Sequence, residues 1–248
     1  MIELNNIHKS FSGHEVLKGV SFKVEKGEIL VLIGMSGYGK SVILKHVVGL
    51  LKPDKGTVKV DGLEVNSLKK NALADLRSRI GFLFQGGALF ESMTVYDNVA
   101  FPLREKARLD RTVIEKKVLN VIDQVGLSGA ENKYPSQLSG GMQKRAALAR
   151  ELVWEPEIMI FDEPTTGLDP IIGHAILNLI EEMHKRMHFT GIIITHELSR
   201  VFKIVNKVAM LHEGIIIETG SPEEMLSSKN SLVRQFLSGD TEGPISFR

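Results

Sequence analysis

Gly34-Met35-Ser36-Gly37-Tyr38-Gly39-Lys40-Ser41 fits the pattern G-x-x-x-x-G-K-[ST] between an apolar run and a segment of helical periodicity. In that context each residue type has a task. The glycines permit backbone conformations that turn successive N–H groups inward as an anion nest. The helix that follows adds the partial positive charge of its N-terminus. Lys40 can reach the β- and γ-phosphates of a nucleotide, and the Ser41 hydroxyl can take one Mg²⁺ position. The expected ATP-binding stretch is therefore Gly34, Met35, Ser36, Gly37, Tyr38, Gly39, Lys40, Ser41 and Val42. A second group of chemistry lies at Asp162-Glu163, after the hydrophobic run Ile158–Phe161. In open α/β sheets ligands sit beyond the carboxyl ends of the strands, so these acids are expected in a ligand crevice. Asp162 suits an Mg²⁺ shell, directly or through water. Glu163 points to the other side and suits an attacking water. Alone, the pair could merely cap the turn at Pro164; beside a phosphate loop the catalytic reading prevails.

A third group, Leu138-Ser139-Gly140-Gly141-Met142 followed by Gln143–Arg150, reads as another helix N-terminus aimed at an anion. Two such helix starts with one carboxylate pair suggest that the second serves the nucleotide of another chain. With this motif the sequence resembles the ATP-binding cassette (ABC) ATPases, whose signature is close to L-S-G-G-Q, and the resemblance runs through essentially the whole chain. It implies a partner-side signature at Ser139, Gly140 and Gly141, and a dimer-crossing D-loop at Asp169. It also implies a Q-loop glutamine at Gln85, which senses Mg²⁺ and the transporter interface. His196 matches the switch histidine that contacts the γ-phosphate, and Phe11 falls where the family places an aromatic that stacks on adenine. The implied catalytic pair is Glu163 and His196; the implied metal ligands are Ser41, Gln85 and Asp162; the implied cofactors are ATP and Mg²⁺. Three residues depart from the pattern: Val42 for a common Thr, Met142 for the usual Gln, and Tyr38 for a small residue.

Within the ABC group, the stretches 85–90, 93–99 and 102–105 look like the Mla/MCE-type phospholipid transport ATPases, as does the tail 236–248. That likeness implies a second copy of the chain, a membrane permease, a STAS-type regulatory protein and an MCE-domain protein as partners. It places the chain at the cytoplasmic face of the inner membrane. Phe236, Ile245 and Phe247 are then expected to dock on a neighbouring subunit, although the composition of 238–248 by itself reads as a loose terminus. An amino-acid importer ATPase is the nearest rival. A soluble repair or translation factor is the alternative of another class. It is disfavoured because repair ATPases insert long coiled coils and translation factors carry two cassettes.

These groups need elements to hold them. Short β-type runs at Met1–Ile7, Val20–Val24, Ile29–Gly34 and Thr57–Val60 precede the helical spacing of Ser41–Leu51. From about Gln85 to Trp154 the chain turns helical and charged, with one long amphipathic segment expected over Arg104–Val125. Strand-like runs return at Ile158–Phe161, Gly191–Thr195, Val208–Leu211 and Ile215–Thr219, with a helix over Ile171–His188. The expectation is an α/β protein: a P-loop NTPase (RecA-like) core with a mostly parallel sheet, an N-terminal antiparallel β portion and an inserted α-helical subdomain. The core would take 1–85 and 155–237, the subdomain 86–154 and a tail 238–248. With 31 Lys+Arg against 30 Asp+Glu, the net charge of +1 argues against a nucleic-acid binder. The absence of cysteine removes disulfides and thiolate chemistry. No apolar window is long enough to span a membrane, and the first ten residues lack a secretory core.

Overall fold

The computed structural model describes residues 1–106 and 109–245. Phe247, one of the apolar residues expected to dock, and Arg248 lie outside them. The chain forms two compact units, one of residues 1–77 and 190–248, the other of residues 78–189.

The first unit opens with two antiparallel strands, β1 (Ile2–Phe11) and β2 (His14–Val24). The buried strand β3 (Ile29–Ile33) then runs into the phosphate loop and α1 (Lys40–Val47). Next come β4 (Lys55–Val60), the two-residue β5 (Leu63–Glu64) and α2 (Lys70–Ser78). β1, β2, β4 and β5 make an antiparallel sheet in the order β2-β1-β4-β5. β1 alternates at its start, with Ile2 and Leu4 buried and Glu3 and Asn5 exposed; an irregularity between Leu4 and Ile7 then shifts the register and buries Ile7.

The second unit begins at β6 (Ile80–Leu83), which sequence periodicity does not mark as a strand. Helices α3 (Val95–Lys106), α4 (Arg111–Gln124) and α5 (Gly140–Leu152) follow, then β7 (Ile158–Asp162) and α6 (Pro170–Met187). β6 lies parallel to β7, with Ile80 opposite Ile158 and Leu83 opposite Phe161. The single helix expected over Arg104–Val125 is in fact two, and Pro102 lies inside α3 rather than before a helix. The earlier start is encoded at Thr94-Val95-Tyr96-Asp97. Thr94 Oγ1 accepts from the Asp97 amide at 3.1 Å and donates to the Asp97 carboxylate at 2.8 Å. Extended Asp110 then starts α4 anew.

The chain returns to the first unit as β8 (Thr190–Ile194), α7 (Leu198–Val201), β9 (Lys207–His212), β10 (Ile215–Gly220), α8 (Pro222–Leu226) and α9 (Ser231–Ser238). There β3 is flanked by β8 and β9, both parallel to it, and β10 closes antiparallel on β9. β3 and β8 are buried along their full length, as strands covered on both faces should be. Residues 239–245 are not a loose end: Ile245 is 4% exposed and bonded to α9.

Asn98 is the polar centre of the helical segment. Its Oδ1 accepts from the Phe90 amide at 2.8 Å, and its Nδ2 faces the carbonyls of Phe90, Met93 and Thr94 at 3.0–3.1 Å. The residue is fully buried, so losing the carboxamide leaves backbone groups without partners. Asn98→Ala is expected to destabilise the protein by about 2–3 kcal/mol, read from the midpoint of urea unfolding.

Candidate functional site

The phosphate loop is shaped by close approach. Gly34, at φ 138°, passes under β9 so closely that a Cβ there would overlap the Leu211 carbonyl. Gly39, in the left-handed region at φ 101°, is the N-cap of α1, and Val16 and Leu17 close in on its open side. The loop therefore has room for backbone only at both ends, which explains the two glycines. Lys40 is buried, with Nζ donating to the Gly34 carbonyl at 2.6 Å and the Met35 carbonyl at 2.9 Å. Ser41 follows in the first turn of α1. Ser36 and Gly37 are exposed, and the Tyr38 ring stands edge-on to the His212 imidazole at 5.3 Å. Val42, where a hydroxyl is usual, gives its carbonyl to His46 Nδ1 at 2.7 Å. Burial pushes the His46 pKa down, which favours the neutral imidazole.

Two further expected residues belong to this unit. Phe11 is exposed at the end of β1, with Lys9 Nζ 5.6 Å from its ring centre. His196 is exposed just after β8, where the Thr195 hydroxyl accepts from the Glu197 amide at 3.1 Å and fixes the turn.

The second unit carries the carboxylates and the signature. Asp162 ends β7, and Glu163 follows in the left-handed region at φ 51°, a conformation that costs a non-glycine residue energy. Glu163 Oε2 accepts from Gln85 Nε2 at 3.2 Å and from the Thr166 hydroxyl at 2.8 Å. The structure thus brings together two residues that lie 78 positions apart in sequence. Ser139 caps α5 by accepting from the Met142 amide at 3.3 Å, so the helix begins at Gly140. The side chain of Ile172 fills the space beside Gly141 so closely that a Cβ there would collide with it. Asp169 Oδ1 caps α6 through the amides of Ile171 and Ile172 at 3.0 and 3.1 Å.

Sequence reasoning missed the cations that hold this arrangement. Lys144 donates to the Gln85 carbonyl, and Arg150 to the Gly87 and Ala88 carbonyls at 3.1 and 2.7 Å. The α5 helix thereby grips the loop that presents Gln85. Burial lowers the Lys144 pKa, and the Glu163 charge opposes that shift. The available signal was a Lys and an Arg flanking the small, apolar run Ala146–Ala149, since buried charges need partners.

Comparison with known proteins decides the family. The ABC transporter family profile matches residues 17–166. This chain belongs to the ABC transporter ATP-binding family. It is 38% identical over 248 residues to the intermembrane phospholipid transport ATP-binding protein MlaF of Haemophilus influenzae, covering 100% of this chain and 94% of that protein. It is 41% identical over 244 residues to a protein of Mycobacterium tuberculosis named "Probable ribonucleotide transport ATP-binding protein mkl", covering 98% of this chain and 68% of the relative. Among solved structures, the ATP-binding cassette MJ0796, a dimer in a post-hydrolysis state with ADP and Pi, superposes with a TM-score of 0.81 at 30% identity, covering 90% of this chain and 99% of that one. This ABC ATPase is thus an ATP hydrolase by family and by fold.

Replacing Lys40 removes a buried ammonium that two loop carbonyls hold in place. Lys40→Ala is expected to lower ATP affinity at least a hundredfold, measured by equilibrium titration. An affinity within twofold of the unaltered protein would sink the assignment of the cradle.

Proposed function

We propose that this ABC ATPase powers phospholipid movement between membranes, binding ATP between two copies of itself beneath a membrane permease. The observation that carries the two-copy reading is the Ser139-capped start of α5, a second anion-ready helix N-terminus in a chain that already has a phosphate cradle. In this reading the Gly34–Ser41 loop of one copy faces Ser139, Gly140 and Gly141 of the other. Ile171, 80% exposed at the start of α6 beside the Asp169 cap, gives the D-loop an apolar surface to offer a second copy. The phospholipid reading is supported by near end-to-end correspondence with MlaF, whereas the mkl relative extends well beyond this chain.

Lys40 and the loop amides would bind the phosphates, with Phe11 against the base. Ser41, Gln85 and Asp162 would hold Mg²⁺, which when bound neutralises charge on the β- and γ-phosphates. The donors are hard oxygens, as that ion requires. Among the described residues no cluster of three His, Cys, Asp or Glu could hold a metal alone, which suits an ion that arrives with phosphates. Glu163 would orient the attacking water and His196 would contact the γ-phosphate.

For the permease, Phe84 and Phe90, on either side of Gln85, are 43% and 42% exposed on the loop that α5 grips from behind. Phe84 stacks on Phe82 at 4.2 Å, and Arg150 lies 5.9 Å from the Phe90 ring centre. An apolar surface on a rigid support is suited to receiving a helix of the permease. Among the described residues no helix is long and apolar enough to cross a membrane, so attachment to the inner membrane's cytoplasmic face would come through that permease. STAS and MCE proteins are the further partners of this reading. Co-purification of the three with the chain, and ATP-dependent transfer of labelled phospholipid by the reconstituted assembly, test it. Uptake of a ribonucleotide or an amino acid in place of lipid transfer would refute it.

Two substitutions separate the roles. Glu163→Gln keeps size but removes the charge, so the variant should bind ATP, dimerise and turn over at least a hundredfold more slowly; His196→Ala should slow hydrolysis without stabilising the closed dimer. Turnover of Glu163→Gln near the normal rate would show that the catalytic carboxylate lies elsewhere. Ser139→Arg should leave ATP affinity within about threefold yet abolish hydrolysis in the assembled transporter, because it acts on the partner's nucleotide. Normal hydrolysis by that variant would rule out the sandwich.

A further inference from the structure

The end of the first unit is built around one carboxamide. Gly239, at φ 76°, closes α9 and turns the chain back along it. Gln235 on α9 is 6% exposed, and its Nε2 donates to the Asp240 and Ile245 carbonyls, each at 3.2 Å. Its Oε1 accepts from the Ile245 amide at 2.7 Å. Gly243, at φ 153°, passes so close that a Cβ would overlap that carboxamide. Residues 239–245 are thus a strap held to α9 by three hydrogen bonds from a single side chain, with buried Ile245 as its plug.

This strap reaches the phosphate loop. Met35, Gln235, Phe236, Gly239, Asp240 and Ile245 line one mainly apolar cavity of about 270 Å³. Met35 is the second residue of the loop, and its carbonyl accepts from Lys40 Nζ at 2.9 Å. One residue therefore both lines the strap's cavity and offers its carbonyl to the loop's buried cation.

We propose that Gln235 is a positioning residue for nucleotide binding: by fastening the strap over the cavity that Met35 lines, it fixes the carbonyl that aims Lys40. A cation pre-aimed by rigid acceptors costs little to order when phosphate arrives, so the strap sets affinity. Nothing in the strap is assigned to the hydrolytic step, which leaves turnover at saturating ATP to other residues. The proposal rests on Lys40 being a phosphate ligand.

The test uses the full chain. Gln235→Met keeps the volume and removes the three bonds; Ile245→Ala removes the plug; Arg234→Ala, on the exposed face of α9, is the control. Equilibrium binding of ATP and steady-state hydrolysis are measured for each, with thermal unfolding in the absence of nucleotide. Gln235→Met and Ile245→Ala are expected to raise both the ATP Kd and KM three- to tenfold with kcat within twofold, while Arg234→Ala changes neither. Ile245→Val should restore the affinity that Ile245→Ala loses. If either folded strap variant keeps the normal Kd, or loses kcat with KM unchanged, the proposal is overturned. Failure of the unaltered chain to bind ATP would overturn the reading of the cradle itself, a distinguishable result.

Discussion

A buried ammonium with carbonyl acceptors is the constraint around which the first unit is organised. Lys40 is removed from solvent, and its Nζ donates to two loop carbonyls. Carbonyl dipoles orient a cation without themselves cancelling its charge. Everything nearby serves that arrangement. Gly34 lets the loop pass under β9, Gly39 lets it turn into α1, and β3, buried between two parallel neighbours, fixes where it starts.

The second unit repeats the device for another purpose. Lys144 and Arg150 spend their donors on the carbonyls of Gln85, Gly87 and Ala88. Here the cations shape a loop instead of awaiting a ligand. The same loop reaches Glu163 through the Gln85 side chain, so displacement of residues 84–90 would be felt at the carboxylate through a few rigid bonds. In the function proposed above, that is a short mechanical route between the surface that receives the permease and the carboxylate that orients water.

Much of this was legible in the sequence, because the phosphate loop, the capped signature and the strand-end acids each have a local signal. The strands around β3 could be read from continuous apolar runs. β6 escaped because four residues carry too little periodicity, and its existence depends on pairing with β7. The helical region was misread as a single segment from Arg104 onward because the apolar spacing outweighed the Thr94–Asp97 cap, which is the real start of α3. Lys144, Arg150 and Gln235 were invisible as organisers, since their partners are backbone atoms 59, 62 and 10 residues away. The tail reads as a loose terminus by composition, yet one glutamine fastens residues 239–245 through Asp240 and Ile245.

The left-handed backbone at Glu163 has a consequence for how this chain tolerates mutation. A side chain there carries strain on the order of 1–3 kcal/mol that glycine would not. Glycine at 163 would relieve that strain and give up the hydrogen bonds from Gln85 and Thr166, so the two effects oppose each other. In the function proposed above, it is selection for ATP hydrolysis, rather than for abundance, that keeps an acid in this strained position.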